Sequence, residues 1–389
     1  MNIIIIGSGM YVTGRGTDGF GTILPAIFEY IRSGHKVNKI IIIGSNGKNK
    51  SSILEKINKL KQKSNISCKI DIYPKKNIID KRQYTKIIKK IKKPACGIVA
   101  VPDHLHTKVT MECLKNGLHT LVVKPLTSNL EEAKKLQLYA NKNNLYGAVE
   151  FHKRFDKQNI MLRDTISNMD IGKPVYSVVE YSQRKSIPTK TFKSWVKKTN
   201  IFQYLGVHYV DIMYFVTKAK PKRVMATGQK NWLKTKGLNI YDAMQVNIEW
   251  KMNDGTSFNQ LIITNWIDSE TSSAMSDQKI KIIGTEGRFE ADQKNRGITI
   301  FGDNIQMENP NPDFCRSYSN NGRLIWKGYG IDSIKTFLLD VDEINQNKKT
   351  PKELEGIRPT FKEALISTSI IEAANISIDN KSSWVQIKL

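Results

Sequence analysis

The sequence predicts an α/β chain: a doubly wound parallel sheet followed by an α+β domain with an open, mostly antiparallel sheet. Three observations carry this. Over the first 150 residues, short β-branched runs alternate with amphipathic helical segments, the pattern of parallel strands buried on both faces. Beyond residue 150 the strand-like runs lengthen and follow one another with turn signals instead of helices between them. A length of 389 residues exceeds what one core usually supports. Two domains are therefore expected, 1–150 and 151–389, with a C-terminal helix at 360–375 that packs back on the first.

The elements follow in order. Ile3–Ile6 is a strand, and the glycine-rich stretch Gly7 to Gly21 follows it. Ile23, Ile27, Phe28 and Ile31 then mark one helix face, closed by Gly34. Ile40–Ile43 is the second strand, Cys68–Tyr73 the third, Gly97–Val101 the fourth, Thr120–Val123 the fifth and Gly147–Phe151 the sixth. Helices are expected around Ile53–Leu60, at His106–Asn116, and after Ser128-x-x-Glu131, which reads as a capping box. In the second domain Val175–Tyr181, Arg223–Thr227, Met244–Trp250, Ser257–Trp266, Lys279–Ile283 and Gly297–Phe301 read as strands. Helices are expected at Tyr204–Val216, Asp332–Asn345 and Thr360–Asn375. Ser257–Trp266 has apolar residues in both alternating sets, which predicts burial on both faces and a homodimer or homotetramer built on that sheet.

Composition excludes some functions. The formal net charge is +25, but of 61 basic residues 12 are arginines and 49 are lysines. The lysines are spread along the chain beside abundant Ile and Asn, a compositional bias and not a nucleic-acid-binding patch. No apolar run is long enough to span a bilayer. Met1–Gly7 lacks the basic flank and cleavage site of a signal peptide. Cys68, Cys96, Cys113 and Cys315 form no C-x-x-C pair, as expected of reduced thiols in the cytoplasm.

Gly7-Ser8-Gly9 directly after a buried strand opens a dinucleotide fingerprint. Gly7 allows the tight turn, and Gly9 lets the backbone approach a pyrophosphate at a helix N-terminus. Val12 stands where the third glycine would be, and Arg15 in the long loop can supply a charge. The second strand ends in Gly44-Ser45-Asn46-Gly47-Lys48, without the carboxylate that binds the ribose hydroxyls of NAD. Ser45, Asn46 and Lys48 suit a 2′-phosphate, which favours NADP over NAD.

The chain resembles the glucose–fructose oxidoreductase/inositol dehydrogenase (Gfo/Idh/MocA) family. The likeness rests on Ala100-Val101-Pro102-Asp103-His104-Leu105-His106, Val123-Lys124-Pro125-Leu126, Phe151-His152-Lys153-Arg154-Phe155-Asp156, Gly206-Val207-His208-Tyr209-Val210-Asp211 and Gly284-Thr285-Glu286-Gly287-Arg288, in that order. The resemblance implies a Rossmann domain and hydride transfer between NAD(P) and a carbinol of a sugar, cyclitol or nucleotide-sugar. Cofactor contacts are expected from Gly7, Gly9, Met10, Ser45, Asn46, Lys48, Val101, Pro102, His106 and Lys124. Lys124 matches the lysine of the family's Glu-Lys-Pro motif, and an ammonium there stabilises a developing oxyanion. His208 and Asp211 match the family's His-x-x-Asp; histidine titrates near neutrality and can take the substrate proton. Tyr204, Asp211 and Arg154 are expected to bind substrate. His106 packs near the cofactor without reacting. His104 and His106 lack a third ligand, so no metal is expected.

Two departures stand out. Val123 replaces the motif's glutamate, and Tyr204 stands where many members carry an aspartate. They leave open a second reading, a catalytically silent protein of the same fold that binds dinucleotide or sugar and regulates a partner.

Overall fold

The computed structural model describes residues 1–389, apart from the side chain of Ile305. The chain forms two compact units. The first comprises Met1–Thr127, Glu131–Phe155 and Asp313–Ala364; the second comprises Ser128–Leu130, Asp156–Pro312 and Leu365–Leu389.

The first unit begins with β1 (Asn2–Ile6), α1 (Met10–Thr13), α2 (Ile23–Arg32), β2 (Lys39–Ile43), α3 (Lys50–Ser64) and β3 (Ile70–Tyr73). It continues with α4 (Gln83–Ile88), β4 (Ala95–Val99), α5 (His106–Lys115), β5 (His119–Val123), α6 (Leu130–Lys142) and β6 (Gly147–Glu150). Its six strands are all parallel, in the order β3-β2-β1-β4-β5-β6. The isoleucine runs explain the centre of the sheet. Ile5 pairs with Ile42 on one side and Ile98 on the other, and all three are fully buried. The strand order reverses between β1 and β4, and ligands of doubly wound sheets bind in the crevice outside the carboxyl ends at such a point.

The second unit contains α7 (Lys157–Ser167), β7 (Pro174–Arg184), α8 (Val207–Thr217), β8 (Lys220–Gln229), α9 (Trp232–Thr235), β9 (Ala243–Lys251) and β10 (Ser257–Asp268). After them come β11 (Ser276–Gly284), β12 (Arg288–Asp292), β13 (Ile300–Gly302) and β14 (Ile305–Glu308). Its large sheet runs β12-β11-β7-β10-β9-β8 and ends on β17 (Val385–Gln386). β7 and β10 pair in parallel; the other neighbours are antiparallel. Along β10, Phe258, Gln260, Ile262, Thr264 and Trp266 are buried, whereas Leu261 and Ile263 on the opposite face are half-buried. The segment expected as a further strand at Gly297–Phe301 is shorter. It pairs only with β14 in a separate hairpin, because the glycines at 297 and 302 bracket a run too short to extend the sheet.

The chain then returns to the first unit with β15 (Arg316–Asn320), β16 (Arg323–Lys327) and α10 (Tyr329–Asn345); α11 (Phe361–Asp379) starts there and passes into the second at Leu365. Amphipathic spacing predicted α10 as a helix but could not say which core takes its apolar face. Ile331, Ile334, Phe337, Leu338 and Val341 share one core cluster with Ile23 and Ile27 of α2. The β15–β16 hairpin, absent from the sequence reading, is held to α2 by two bonds. Trp326 N donates to Glu29 Oε1 (3.0 Å), and Arg32 Nη2 donates to the Leu324 carbonyl (2.9 Å). The open edge of β6 is covered by the chain just before α11: Val149 N donates to the Pro359 carbonyl (2.8 Å) and Ala148 bridges Thr360.

Candidate active site

The glycine turn follows from β1. Gly7 has φ +125°, and a Cβ there would stand 2.0 Å from the Ala100 carbonyl oxygen, so only glycine fits where the turns after β1 and β4 touch. Gly9 differs: its φ is ordinary, and no atom lies within 4 Å of where its Cβ would be. The backbone at Gly9 is therefore open to approach. The helix expected behind it is interrupted, because Gly14 in the left-handed conformation ends α1 after four residues. Met10 is the first of these four. The glycine loop then folds back, with Lys56 Nζ donating to the carbonyls of Thr17 (2.5 Å) and Gly19 (3.0 Å). After β2, Ser45 and Lys48 are exposed. Asn46 Oδ1 accepts from Lys48 N (3.0 Å), capping a single 3₁₀ turn, so that oxygen is engaged by the backbone.

Lys124 directly follows β5 at the carboxyl edge of the sheet and is half-buried. Burial pushes its ammonium down to about 8, against the pull of Asp103 and Glu150, which favour the charged form. The turn that carries Lys124 is fixed by His106. The His106 ring nitrogens lie 2.6 Å from the Pro125 carbonyl oxygen and 2.8 Å from that of Val101. The imidazole thus ties the turn after β4 to the turn after β5, a strut beneath the site. Val101 and Pro102 lie on the first of these turns, next to the buried Asp103.

Glu150 is the residue the sequence reading missed. It ends β6 directly opposite Val123 in the parallel register and is 2% exposed. Its carboxylate oxygens lie 3.1 and 2.9 Å from His152 Nδ1. The buried Tyr11 phenol faces it, and burial together with that negative charge raises the phenol well above its ordinary range. A glutamate inside the run Gly147-Ala148-Val149-Glu150-Phe151 was the available signal, since carboxylates are seldom buried without partners.

Arg154, expected to bind substrate, is held in a buried ion pair. Its Nη1 donates to Glu363 Oε2, and both side chains are almost free of solvent contact. It lies on the short turn His152–Phe155 that follows β6, and the backbone turns its guanidinium inward to a buried carboxylate. Asp156, the last residue of the same motif, also has a structural role. It caps α7 through Gln158 N (3.2 Å) and pairs with Arg296 Nη1 (3.1 Å).

In the second unit Tyr204, His208 and Asp211 lie on one continuous helical segment. The expected α-helix from Tyr204 is instead a π-turn over Phe202–Gly206 followed by α8, a widening frequent at functional sites. Gly206 permits it, because a Cβ there would stand 2.3 Å from the Phe202 ring. His208 and Asp211 are both buried, in the first and second turns of α8. The Tyr181 ring lies 6.5 Å from that of His208. The Tyr209 carbonyl accepts from Gln260 Nε2 (3.1 Å), and Gln260 Oε1 from Trp250 Nε1 (3.1 Å), so α8 is pinned to β10 and β9. The Tyr204 ring sits 4.9 Å from Phe192, 6.0 Å from Trp195 and 6.1 Å from Trp266. Among the described residues no group of three or more His, Cys, Asp or Glu could hold a metal ion.

A six-stranded doubly wound sheet with a glycine turn at its switch point, followed by an open, mostly antiparallel sheet, defines a two-domain protein of the dinucleotide-binding class. The chain belongs to the Gfo/Idh/MocA family. The model described as "Oxidoreductase family, NAD-binding Rossmann fold" matches residues 19–151, and that of the GFO/IDH/MocA C-terminal domain matches residues 160–290. Among its relatives, a scyllo-inositol 2-dehydrogenase (NAD(+)) of Bacillus subtilis is 25% identical over 219 residues, covering 56% of this chain and 61% of the relative. A scyllo-inositol 2-dehydrogenase (NADP(+)) of the same organism is 26% identical over 133 residues, covering 33% and 37%. The matches thus span less than two thirds of these relatives. The fold is shared over its whole length with solved structures. A myo-inositol 2-dehydrogenase from Lactobacillus plantarum superposes with a TM-score of 0.69 at 16% identity, covering 100% of this chain and 99% of that one. A scyllo-inositol dehydrogenase from Lactobacillus casei with bound NAD(H) and scyllo-inositol gives 0.67 at 12% identity, covering 99% and 98%.

Proposed function

We propose that the protein is an NAD(P)-dependent dehydrogenase or reductase acting on a carbinol of a sugar, cyclitol or nucleotide-sugar. The observation that carries this is Lys124: an ammonium held at the carboxyl edge of the parallel sheet, half-buried and pushed down to about 8. Such a group stays mostly protonated at neutral pH and stabilises negative charge on a substrate oxygen, yet gives up its proton readily. His208 takes or returns the hydroxyl proton, and Asp211 and Tyr204 position the ring. The nicotinamide, when bound, accepts or donates the hydride.

The residues present fit such a cofactor. The open space over Gly9 admits a pyrophosphate to the backbone. The exposed Ser45 and Lys48 offer a hydroxyl and a cation to a 2′-phosphate, so NADP(H) binds at least as well as NAD(H). Relatives named for each cofactor occur in the family. No helix among the described residues is long and apolar enough to cross a membrane. The four cysteines are free thiols, in keeping with a cytoplasmic protein. The half-buried Leu261 and Ile263 on the second face of β10 support a homodimer or homotetramer built there; a monomer by light scattering at micromolar concentration refutes that.

The test of function is fluorescence titration with NADPH and NADH, followed by a turnover screen over cyclitols, sugars and nucleotide-sugars. Turnover lost in Lys124→Ala and His208→Ala is the expected result. Tight cofactor binding with no turnover by the unaltered protein refutes it in favour of the silent, regulatory reading.

A further inference from the structure

We infer that Glu150 is the positioning residue for Lys124, a carboxylate placed on the strand beside the one where the family's motif carries its own. The inference rests on the reading of Lys124 as the group that holds the substrate oxygen.

The register makes the case. β5 and β6 pair in parallel with Val123 opposite Glu150. Paired residues of neighbouring strands point to the same face and lie about 5 Å apart. A carboxylate at 150 therefore stands on the same face and at the same level of the sheet as one at 123 would. Position 123 holds valine where the resembled motif has glutamate, and Glu150 supplies a carboxylate a single strand away.

Its surroundings fit an ion kept for a purpose. Glu150 is 2% exposed, and a carboxylate so buried costs several kcal/mol unless charges and donors face it. From the turn after β6, His152 Nδ1 approaches both oxygens at 3.1 and 2.9 Å. From α1 comes the Tyr11 phenol, and from β5 the Lys124 ammonium. Asp103, on the turn after β4, also acts on Lys124, and Cys315 and Tyr329 act on Tyr11. The His152 ring is fixed in turn, stacked on Tyr329 at 5.6 Å and tilted against Phe314 at 5.2 Å. The carboxylate is thus braced by a held imidazole, and its negative charge favours the ammonium form of Lys124.

The experiment needs no knowledge of the substrate. The full-length protein is reductively methylated with ¹³C-formaldehyde, which leaves the charge on each lysine. The Lys124 resonance is identified by its loss in Lys124→Arg and titrated by NMR. In Glu150→Gln the Lys124 midpoint should fall by about one unit, because an opposite charge has been removed. In Val123→Glu/Glu150→Gln it should return towards the original value, and if the glutamine variant misfolds, Val123→Glu/Glu150→Ala gives the same comparison. A midpoint unmoved by Glu150→Gln, or not restored by Val123→Glu, overturns the inference. The turnover of Lys124→Ala tests the underlying reading separately: a fully active Lys124→Ala overturns that reading whatever the titration shows.

Discussion

Lys124→Met should stabilise the protein at neutral pH while abolishing turnover. The folded state holds the Lys124 ammonium at about 8, against 10.5 for an ordinary lysine. The difference of some 2.5 units corresponds to about 3 kcal/mol of unfavourable free energy carried by the charged form, at about 1.4 kcal/mol per unit. Because the side chain is half-buried, solvent screens part of this, leaving about 2–3 kcal/mol. The sign follows from proton counts. Between pH 8 and 10.5 the unfolded chain binds the proton and the folded one does not, so stability contributed by this site rises with pH there. Below pH 8 both states are protonated and the full cost remains; above 10.5 it vanishes. Methionine keeps the apolar stem and removes the charge. The variant should therefore be more stable than the parent by about 2–3 kcal/mol at pH 7, and the gap should shrink as pH rises above 8. Urea denaturation of both proteins at pH 6.5, 7.5, 8.5 and 9.5 reads this directly. A variant less stable than the parent at pH 7, or a gap constant across that range, refutes the reasoning. The gain in stability is the mark of a site where function holds a charge that folding alone would not keep.

Three further outcomes follow from the geometry. Gly7→Ala should lose about 1–3 kcal/mol of stability through its positive φ and the Ala100 contact, whereas Gly9→Ala should melt as the parent does and lose at least tenfold in cofactor affinity; calorimetry and NADPH titration separate the two. Arg154→Met should cost about 3–5 kcal/mol by stranding Glu363 without its buried partner, and Arg154→Met/Glu363→Leu should recover most of it in denaturant unfolding; equal losses in both would show that the stranded carboxylate is not the cause. His208→Ala should lower kcat about 10²–10⁴-fold while NADPH affinity stays within a few-fold, and unchanged turnover removes the histidine from the reaction.

How much of this was legible in the sequence depends on whether the determinant was local. The six parallel strands were, since Ile3–Ile6 and Ile40–Ile43 can only be buried on both faces. Gly7 was legible as a turn residue, and the motifs around Lys124 and His208 marked the strand end and the helix on which they lie. The fate of Arg154 was not: Glu363 lies 209 positions away, and nothing in Phe151–Asp156 announces it. The core that takes α10 was hidden for the same reason, because a helical stripe says that a face is buried without saying against what. The π-turn before α8 depends on the fit of Gly206 against Phe202, a packing detail with no periodic signature. The hairpin Arg316–Lys327 was missed because its strands are short and mostly exposed, so the alternation that marks a half-buried strand is weak.

Val123 shows where motif reading and physical reading part. A motif assigns a role to a place in the chain, and by that rule the loss of a glutamate beside Lys124 weakens the case for catalysis. Electrostatics assigns the role to a place in space. In a parallel sheet each strand end has two neighbours, so the position beside Lys124 can be filled from β5 itself or from an adjoining strand end. Val123 and Glu150 are partners in one register, and the lysine responds to the negative charge at 150. Only groups near a strand's carboxyl end can substitute in this way, because two residues further back the side chain is about 7 Å away along the strand. The same logic leaves Tyr204 as the real departure. Its ring is packed among Phe192, Trp195 and Trp266, an apolar setting which, on the proposed function, offers a substrate ring a flat face and a hydroxyl. On the proposed function the proton work falls on His208 and Lys124, and Tyr204 is the residue whose replacement should change which ring is accepted.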